Sequence, residues 1–600
     1  MTDQGTEVPQ GALNVLTRRL PSPEVCDRLW GRLMRSFEHD AGGTVDGPQG
    51  QRVHRDHLAH REVIERRFYA VRPGVWTLVG NGLSNQTFIE APDGIIAIDT
   101  GESVQEMEAA LAELRQHTER PVVAVIYTHF HYVEGTKAVL AEPGNASPMP
   151  IYAHERVSAN KSRTSGEIAP VYSRGLVEQF GITLPDEGPD ALLHVGLGLF
   201  YRNPAHAPFT SGFVPPTVTF GPATTLTIGG LRVEITPAPS DADDSVTLWF
   251  PELATCVHNI VWPTLFNIFA IRGDEYRDPR VLLTGIDHVR ALGAEHLVAT
   301  HGPPMSGAAD ITRRTLRYRD SIQFLWDQAV RGINKGWTTD ELASRVRLPA
   351  LYDDDFLTSE RYGVGEHHVR QIHNGLRGWF DGDEARLFPL EPTERFGRLI
   401  AGFGGRATVR EQARAALAAD DVRWALELTT WLVRAEGADA DDRVLLATAL
   451  RTVAERTSAA NIRNWCLAHA RDLDGSAPMD RFRVHRFTSR QLEGASAVAI
   501  VHTLRVLLDP DRAEGIDHHI AFVVEGEPGV GLHVRNGVAA PTDGAGAQST
   551  VTLDRGTLVG LLTGRVRWSD ARWAGTVAVE GDAAGADRAV ACFEVSGFEQ

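Results

Sequence analysis

The chain has 600 residues and a formal charge of −18, with 42% hydrophobic and 23% charged residues. That is a globular composition, and the chain is long enough to bury several cores. Its 78 acidic against 60 basic side chains exclude the broad basic footprint of a general nucleic-acid or anionic-membrane binder.

In chain order, MTDQGTEVPQ offers neither the basic region nor the apolar run of a secretory leader, so a cytoplasmic protein is expected. The dispersed cysteines Cys26, Cys256, Cys466 and Cys592 fit a reducing compartment. No apolar run reaches the roughly 18 residues of a membrane span. Residues 1–70 read as an N-terminal extension with an amphipathic stretch at Cys26–Phe37. From Val71, short apolar runs broken by Gly and Pro-Asp predict strands at Gly74–Val79, Gln86–Ile89, Gly94–Asp99 and Val122–Tyr127. A Ser-capped helix is expected at Ser103–His117. Further strands are predicted at Thr224–Ile228, Leu231–Thr236, Val246–Phe250 and His296–Ala299, which gives an α/β layered domain over 71–310.

Residues 311–475 are predicted to be helical. They include an amphipathic Ile311–Gly332, a capped start at Thr338–Glu341, and consecutive helices at Val409–Ala419, Asp421–Ala435 and Asp441–Arg456. After the linker Gly475-Ser476-Ala477-Pro478, residues 476–600 read as α+β. Strands are expected there at Val498–Leu507, Ala521–Val524, Gly531–Val534 and Thr550–Leu553.

The sharpest motif is Thr128-His129-Phe130-His131-Tyr132-Val133-Glu134-Gly135, at the end of a buried strand. If the strand conformation continues, the i, i+2 spacing turns both imidazoles to one side. Alone, the pair is weak. It gains weight from Ser240-Asp241-Ala242-Asp243-Asp244, His258-Asn259 and Ala299-Thr300-His301, which place His or carboxylate at three further strand ends. A metal site on a sheet edge requires ligands that converge from several elements in this way. Nitrogen and oxygen donors without thiolate allow Zn, Fe or Mn.

The order HxH, then Asp, a further polar ligand and THG resembles the metallo-β-lactamase fold. From about Phe68 to the C-terminus the chain is similar to the alkyl sulfatase family on that fold. Ser84–Glu90, Leu265-Phe266-Asn267, Ile271-Arg272-Gly273, Arg277-Asp278, Tyr362-Gly363, Gly378–Gly382 and Val579–Asp582 carry the likeness. The resemblance implies an αββα sandwich at 71–310, a helical dimerisation domain at 311–475 and a sterol-carrier-like (SCP2-like) α+β domain at 476–600. It also implies a homodimer. The substrate would be a small molecule with an anionic or polar head and an apolar tail.

The family motif HxHxDH holds two metals, and here its Asp and second His positions are Val133 and Glu134. The family's later carboxylates fall at Asp241 and, with a one-residue gap, at His258, and its last histidine at His301. This pattern leads to a mononuclear His₃Asp centre of His129, His131, Asp241 and His258, one Zn or Fe per chain, with a weakened second site at Glu134 and His301 as runner-up. Glu134 is alternatively the general base, and Asn267 and Arg272 match the family's sulfate-gripping pair. The expected activity is hydrolysis, with metal-activated water attacking an alkyl sulfate or related anionic ester. The alternatives are a mononuclear non-haem iron oxygenase or lyase on the same scaffold, and an inactive dimeric binding protein. Tyr132 faces either substrate or core. His154 is read as a structural residue or a support behind the metal ligands, the pair His367-His368 as packing residues, Cys256 as a buried strand residue, and His518-His519 as part of a solvated face.

Overall fold

The computed structural model describes residues 37, 41–483, 487, 492 and 495–598, so most of the Cys26–Phe37 stretch lies outside the described residues. A small antiparallel pair, β1 (Thr44–Asp46) and β2 (Arg52–His54), precedes a helix at Arg55–Val63. This segment docks on the helical region. Thr44 Oγ1 donates to the Glu455 carbonyl at 3.2 Å, and His57 Nε2 lies 2.9 Å from the Thr457 carbonyl.

Two sheets follow. The first has seven strands in sequence order: β3 (Arg67–Arg72), β4 (Val75–Val79), β5 (Gln86–Ala91), β6 (Gly94–Ile98), β7 (Val122–Ile126), β8 (Ile151–His154) and β9 (Val218–Phe220). The second has six: β10 (Thr224–Ile228), β11 (Leu231–Pro237), β12 (Val246–Phe250), β13 (Thr255–His258), β14 (His296–Ala299) and β15 (Met305–Ser306). The pairs β6–β7, β7–β8, β8–β9 and β13–β14 run parallel. Strands covered on both faces read as unbroken apolar runs rather than alternating ones, as GIIAI in β6 and VVAVI in β7 do.

Alternation sorts these side chains into layers. Ile89, Ile96, Ile98 and Ile126 of the first sheet meet Val233, Ile235, Leu248 and Val257 of the second in one buried cluster. Ile95, Ala97 and Val125 face the other way, onto Met107, Ala110, Leu111 and Leu114 of a helix at Val104–Leu114. Ser103 caps that helix by accepting from the Glu106 amide, and burying each of its larger apolar side chains is worth about 1.5–3 kcal/mol. The outer face of the second sheet is covered by helices Pro279–Ala291 and Ala308–Asn334 through Leu282, Ile286, Val289, Ile322 and Leu325. The architecture is therefore α/β, an αββα sandwich.

A helical region follows. It contains Thr339–Arg345, with a capping box between Thr338 and Glu341, then Gly365–Arg377 and five helices from Pro392 to Leu473. The C-terminal part is α+β, a five-stranded sheet ordered β18-β17-β16-β19-β20. Its strands are β16 (Asp517–Val524), β17 (Val530–Arg535), β18 (Val538–Thr542), β19 (Ser549–Leu553) and β20 (Val577–Gly581).

Two expectations change. The run Val498–Leu507 is helical, as an α-helix at Ala497–Thr503 and a 3-10 turn at Leu504–Leu507, started by the Ser496 side chain accepting from the Ala499 amide. A short, wholly apolar run carries no period that separates a buried helix from a buried strand. His518 is not on a solvated face: it is buried, and its Nε2 lies 2.6 Å from Ser549 Oγ on the adjoining strand. None of the described helices is long and apolar enough to cross a membrane.

Candidate metal centre

The loops at the ends of β7, β11 and β13 meet at one edge of the sandwich. His129 and His131 leave β7, Asp241 follows β11, and one nitrogen of each ring and a carboxylate oxygen lie within 4.8 Å of one another. His131 Nδ1 is 3.2 Å from Asp241 Oδ2, and His129 Nε2 is 3.9 Å from Asp241 Oδ1.

Hydrogen bonds fix the His129 tautomer. Thr128 Oγ1 donates to Asp99 Oδ2 at 2.7 Å, so toward His129 Nδ1, 2.9 Å away, it accepts. Nδ1 therefore carries the proton, and the Nε2 lone pair faces Asp241. An imidazole oriented through its far nitrogen is the usual support of a metal ligand. Burial holds His129 neutral, lowering its pKa to about 3 despite the opposing pull of Asp241. His131 is nearly buried, with Nδ1 facing Asp241 Oδ2 and Nε2 without a hydrogen-bond partner. Two imidazoles and a buried carboxylate with converging nitrogen and oxygen atoms, one of them the unpartnered His131 Nε2, fit a divalent cation.

The other predicted ligands stand elsewhere. His258 is fully buried, but its Nδ1 accepts from the amides of Ile260 and Val261, at 3.2 and 3.3 Å, and its Nε2 has no partner. It does not join the triad. Successive residues leaving a strand point to opposite sides, so the one-residue gap assumed from sequence selects the wrong neighbour. Asn259 faces the triad instead. Its Nδ2 donates to Asp241 Oδ1 at 2.6 Å and lies 3.4 Å from His129 Nε2. Its Oδ1 accepts from Trp262 Nε1 at 3.2 Å, and since indole only donates, this fixes which way the amide points.

Glu134 also stands outside the triad. The Val133 side chain is in the core and its backbone bridges to Gly101, which swings Glu134 to Lys161 Nζ at 2.5 Å and to Ser211 Oγ. His301 is buried, with Nδ1 donating to the Leu83 carbonyl at 3.0 Å and Nε2 lying 3.2 Å from the Tyr132 hydroxyl.

A pocket opens onto His131 and Asp241, and Arg272 and Arg277 stand in its wall. Asp274 Oδ2 accepts from Nη2 of both, at 2.7 and 2.6 Å. One carboxylate against two guanidiniums leaves an excess positive charge. Arg272 Nη1 is buried without a partner. Burial opposes the Arg272 charge, but Asp274, Tyr172, Tyr362 and Asp241 together outweigh it and raise its pKa. Tyr172 lies beneath its guanidinium, 5.3 Å from ring centroid to Cζ. Phe130, Leu176, Phe180 and Leu197 give the same pocket an apolar side. Asn267 is not part of this wall. Its Oδ1 is buried without a partner beside Gly363 and His368, while its carbonyl accepts from Arg277 Nη1 at 2.8 Å. Sequence reasoning passed over Arg277 as a pocket residue, although it lies only five positions beyond Arg272.

The αββα frame, with a His/Asp cluster at the sheet edge, defines a hydrolytic metalloenzyme of the metallo-β-lactamase superfamily, which binds divalent metal. Residues 79–132 match the metallo-beta-lactamase superfamily model, 338–476 the alkyl sulfatase dimerisation model and 488–598 the alkyl sulfatase C-terminal model. A linear primary-alkylsulfatase of Pseudomonas sp. (strain ATCC 19151) is 33% identical over 84% of this chain and 98% of its own length. An (R)-specific secondary-alkylsulfatase of Pseudomonas sp. is 28% identical over 86% of this chain and 79% of its own. The solved structure of a stereoselective inverting sec-alkylsulfatase from Pseudomonas sp. superposes with a TM-score of 0.80 at 24% identity, covering 97% of this chain and 95% of that one. The chain belongs to the alkyl sulfatase family.

Proposed function

We propose that this enzyme hydrolyses alkyl sulfates, with one divalent cation per chain, Zn or Fe, held by His129, His131 and Asp241. The observation that carries this reading is the shared pocket: His131 and Asp241 of the triad and the Arg272–Arg277 pair line one cavity, so a tetrahedral anion seated on the guanidiniums lies next to two of the three candidate metal ligands. The named activities of the two curated relatives agree with it.

A cation in this site supplies Lewis acidity and lowers the pKa of water. The chain's own residues do the rest. Arg272 offers its unpartnered Nη1 to a sulfate oxygen, and its planar fork, braced by Asp274, suits an oxyanion. Arg277, tied to the Asn267 carbonyl and to Asp274, adds charge from the second side. Leu176, Phe180 and Leu197 take the alkyl chain out of water. Asn259 holds the Asp241 carboxylate in place. Glu134, committed to Lys161 and Ser211, belongs to the pocket wall in this reading and is not the general base. The enzyme works as a homodimer through its helical region, where Trp379, Leu387 and Phe388 stand exposed on one segment.

The test is product analysis on primary and secondary alkyl sulfates. Inorganic sulfate and the alcohol should appear in equal amounts, and turnover should stop when a chelator strips the cation. An aldehyde or ketone formed with consumption of O₂ would replace hydrolysis by oxygenase chemistry, and absence of turnover on every sulfate ester would refute the reading.

A further inference from the structure

We infer that Tyr132 supplies from the protein what a second cation would otherwise supply to His301, so that His301 positions the Tyr132 phenol and is not a metal ligand. The inference rests on the single-cation reading of the site and deepens it.

The hydrogen bonds leave His301 little freedom. A carbonyl only accepts, so the 3.0 Å contact to Leu83 places the proton on Nδ1. The one lone pair of the ring is then on Nε2, and that atom lies 3.2 Å from the Tyr132 hydroxyl, which must donate. Both partners are buried, Tyr132 at 3% and His301 at 1% exposure. Breaking this bond leaves an unsatisfied buried acceptor, which costs about 1–3 kcal/mol. The Tyr132 ring also stands edge-on between the imidazoles, 5.0 Å from His129 and 5.3 Å from His301 between centroids. It thus separates the triad from His301.

Neighbouring residues complete the separation. Val133 turns into the core, Glu134 is taken by Lys161 and Ser211, and the Asn259 amide donates to the Asp241 oxygen that faces away from His131. A second ion beside His301 would meet a phenol and an amide N–H, and no free carboxylate of this group.

Two variants and one measurement on the unaltered protein test this. Co²⁺-loaded wild-type enzyme should bind one ion per chain and show two paramagnetically shifted imidazole N–H resonances, from His129 and His131. Three such resonances with one ion would overturn the inference while leaving the single-cation reading intact, whereas two ions per chain would overturn that reading itself. His301→Gln should keep one Zn²⁺ per chain with its dissociation constant within about threefold of wild type, and a loss of tenfold or more would make His301 a ligand. Tyr132→Phe frees the His301 lone pair and should admit a weaker second equivalent of Zn²⁺. A Y132F protein that titrates like wild type would show that the phenol is not the restraint. If H301Q does not fold, the Co²⁺ resonance count on wild type decides alone.

Discussion

Arg272 and Arg277 are bound to the same oxygen of Asp274, at 2.7 and 2.6 Å, so one carboxylate braces two guanidiniums in the wall of the pocket that His131 and Asp241 also line. Two cations held by one anion keep an appetite for a second anion, and the buried, unpartnered Nη1 of Arg272 points to where it is felt.

Arg272→Ala should therefore lower kcat/KM for an alkyl sulfate by about 10- to 150-fold, the equivalent of about 1.5–3 kcal/mol for a hydrogen bond to a charged group. Arg277→Lys keeps the charge but loses the fork, and should raise KM more than it lowers kcat. Steady-state kinetics with the variants' metal content matched to wild type checks both.

Asp241→Asn removes the only carboxylate of the triad and should empty the site of tightly held cation. Elemental analysis after gel filtration should give well under half an ion per chain, with activity falling in proportion. Glu134→Gln should leave metal content unchanged and kcat/KM within a few-fold, since its carboxylate serves Lys161 and Ser211.

Thr128→Val removes the acceptor that fixes the proton on His129 Nδ1. Supporting bonds of this kind are worth about 10- to 100-fold in metal affinity, so a chelator competition titration should show a weakening in that range with little change in melting temperature.

A separate set of histidines contributes to acid stability. His57 and His194 are held well below their ordinary pKa and His60 is lowered to about 4, each chiefly by burial. His57 and His60 join the segment before the sandwich to the Thr457 and Gly196 carbonyls, and His57 Nδ1 lies 3.2 Å from His194 Nε2. In the unfolded chain these rings take protons at about pH 6.5, while in the folded chain they stay neutral. Below that pH the unfolded state binds more protons, so stability falls as pH drops from about 6.5 toward 4, by up to about 1.4 kcal/mol per pH unit for each group. The buried carboxylates of Asp99, Glu102, Glu106, Asp244 and Glu360, raised to about 7 or 8, act in the opposite direction, so the check is a comparison: between pH 7.5 and 5 a His60→Gln variant should lose less melting temperature than the wild type.

Much of the frame was legible from the chain. Doubly buried strands such as β6 and β7 announce themselves as unbroken apolar runs, and the capped helix starts at Ser103 and Thr338 are local signals. Residues 498–507 misled because a short apolar run has no period to read. Of the site, the sequence could nominate His129, His131 and Asp241, since each follows a recognisable strand. It could not choose between His258 and Asn259, because a shift of one residue reverses the face and the amide's role depends on Trp262 three positions on. Nor could it show that Tyr132 reaches His301 across 169 positions, or that Glu134 turns to Lys161. These are tertiary contacts with no local pattern.

The Asn85 side chain donates to the carbonyls of Ala299 and Gly302, both at 2.8 Å, and its amide donates to the Thr300 carbonyl at 2.7 Å. These bonds join positions more than 200 residues apart, at the edge where the two sheets meet beside His301. The clasp has an order of events built into it. Contacts of such long range carry a loop-closure cost that local ones do not, so the seam beside the candidate site is expected to form late in folding. A growing chain released before Gly302 would carry all three residues of the triad and still lack part of the seam that joins the two sheets beside them.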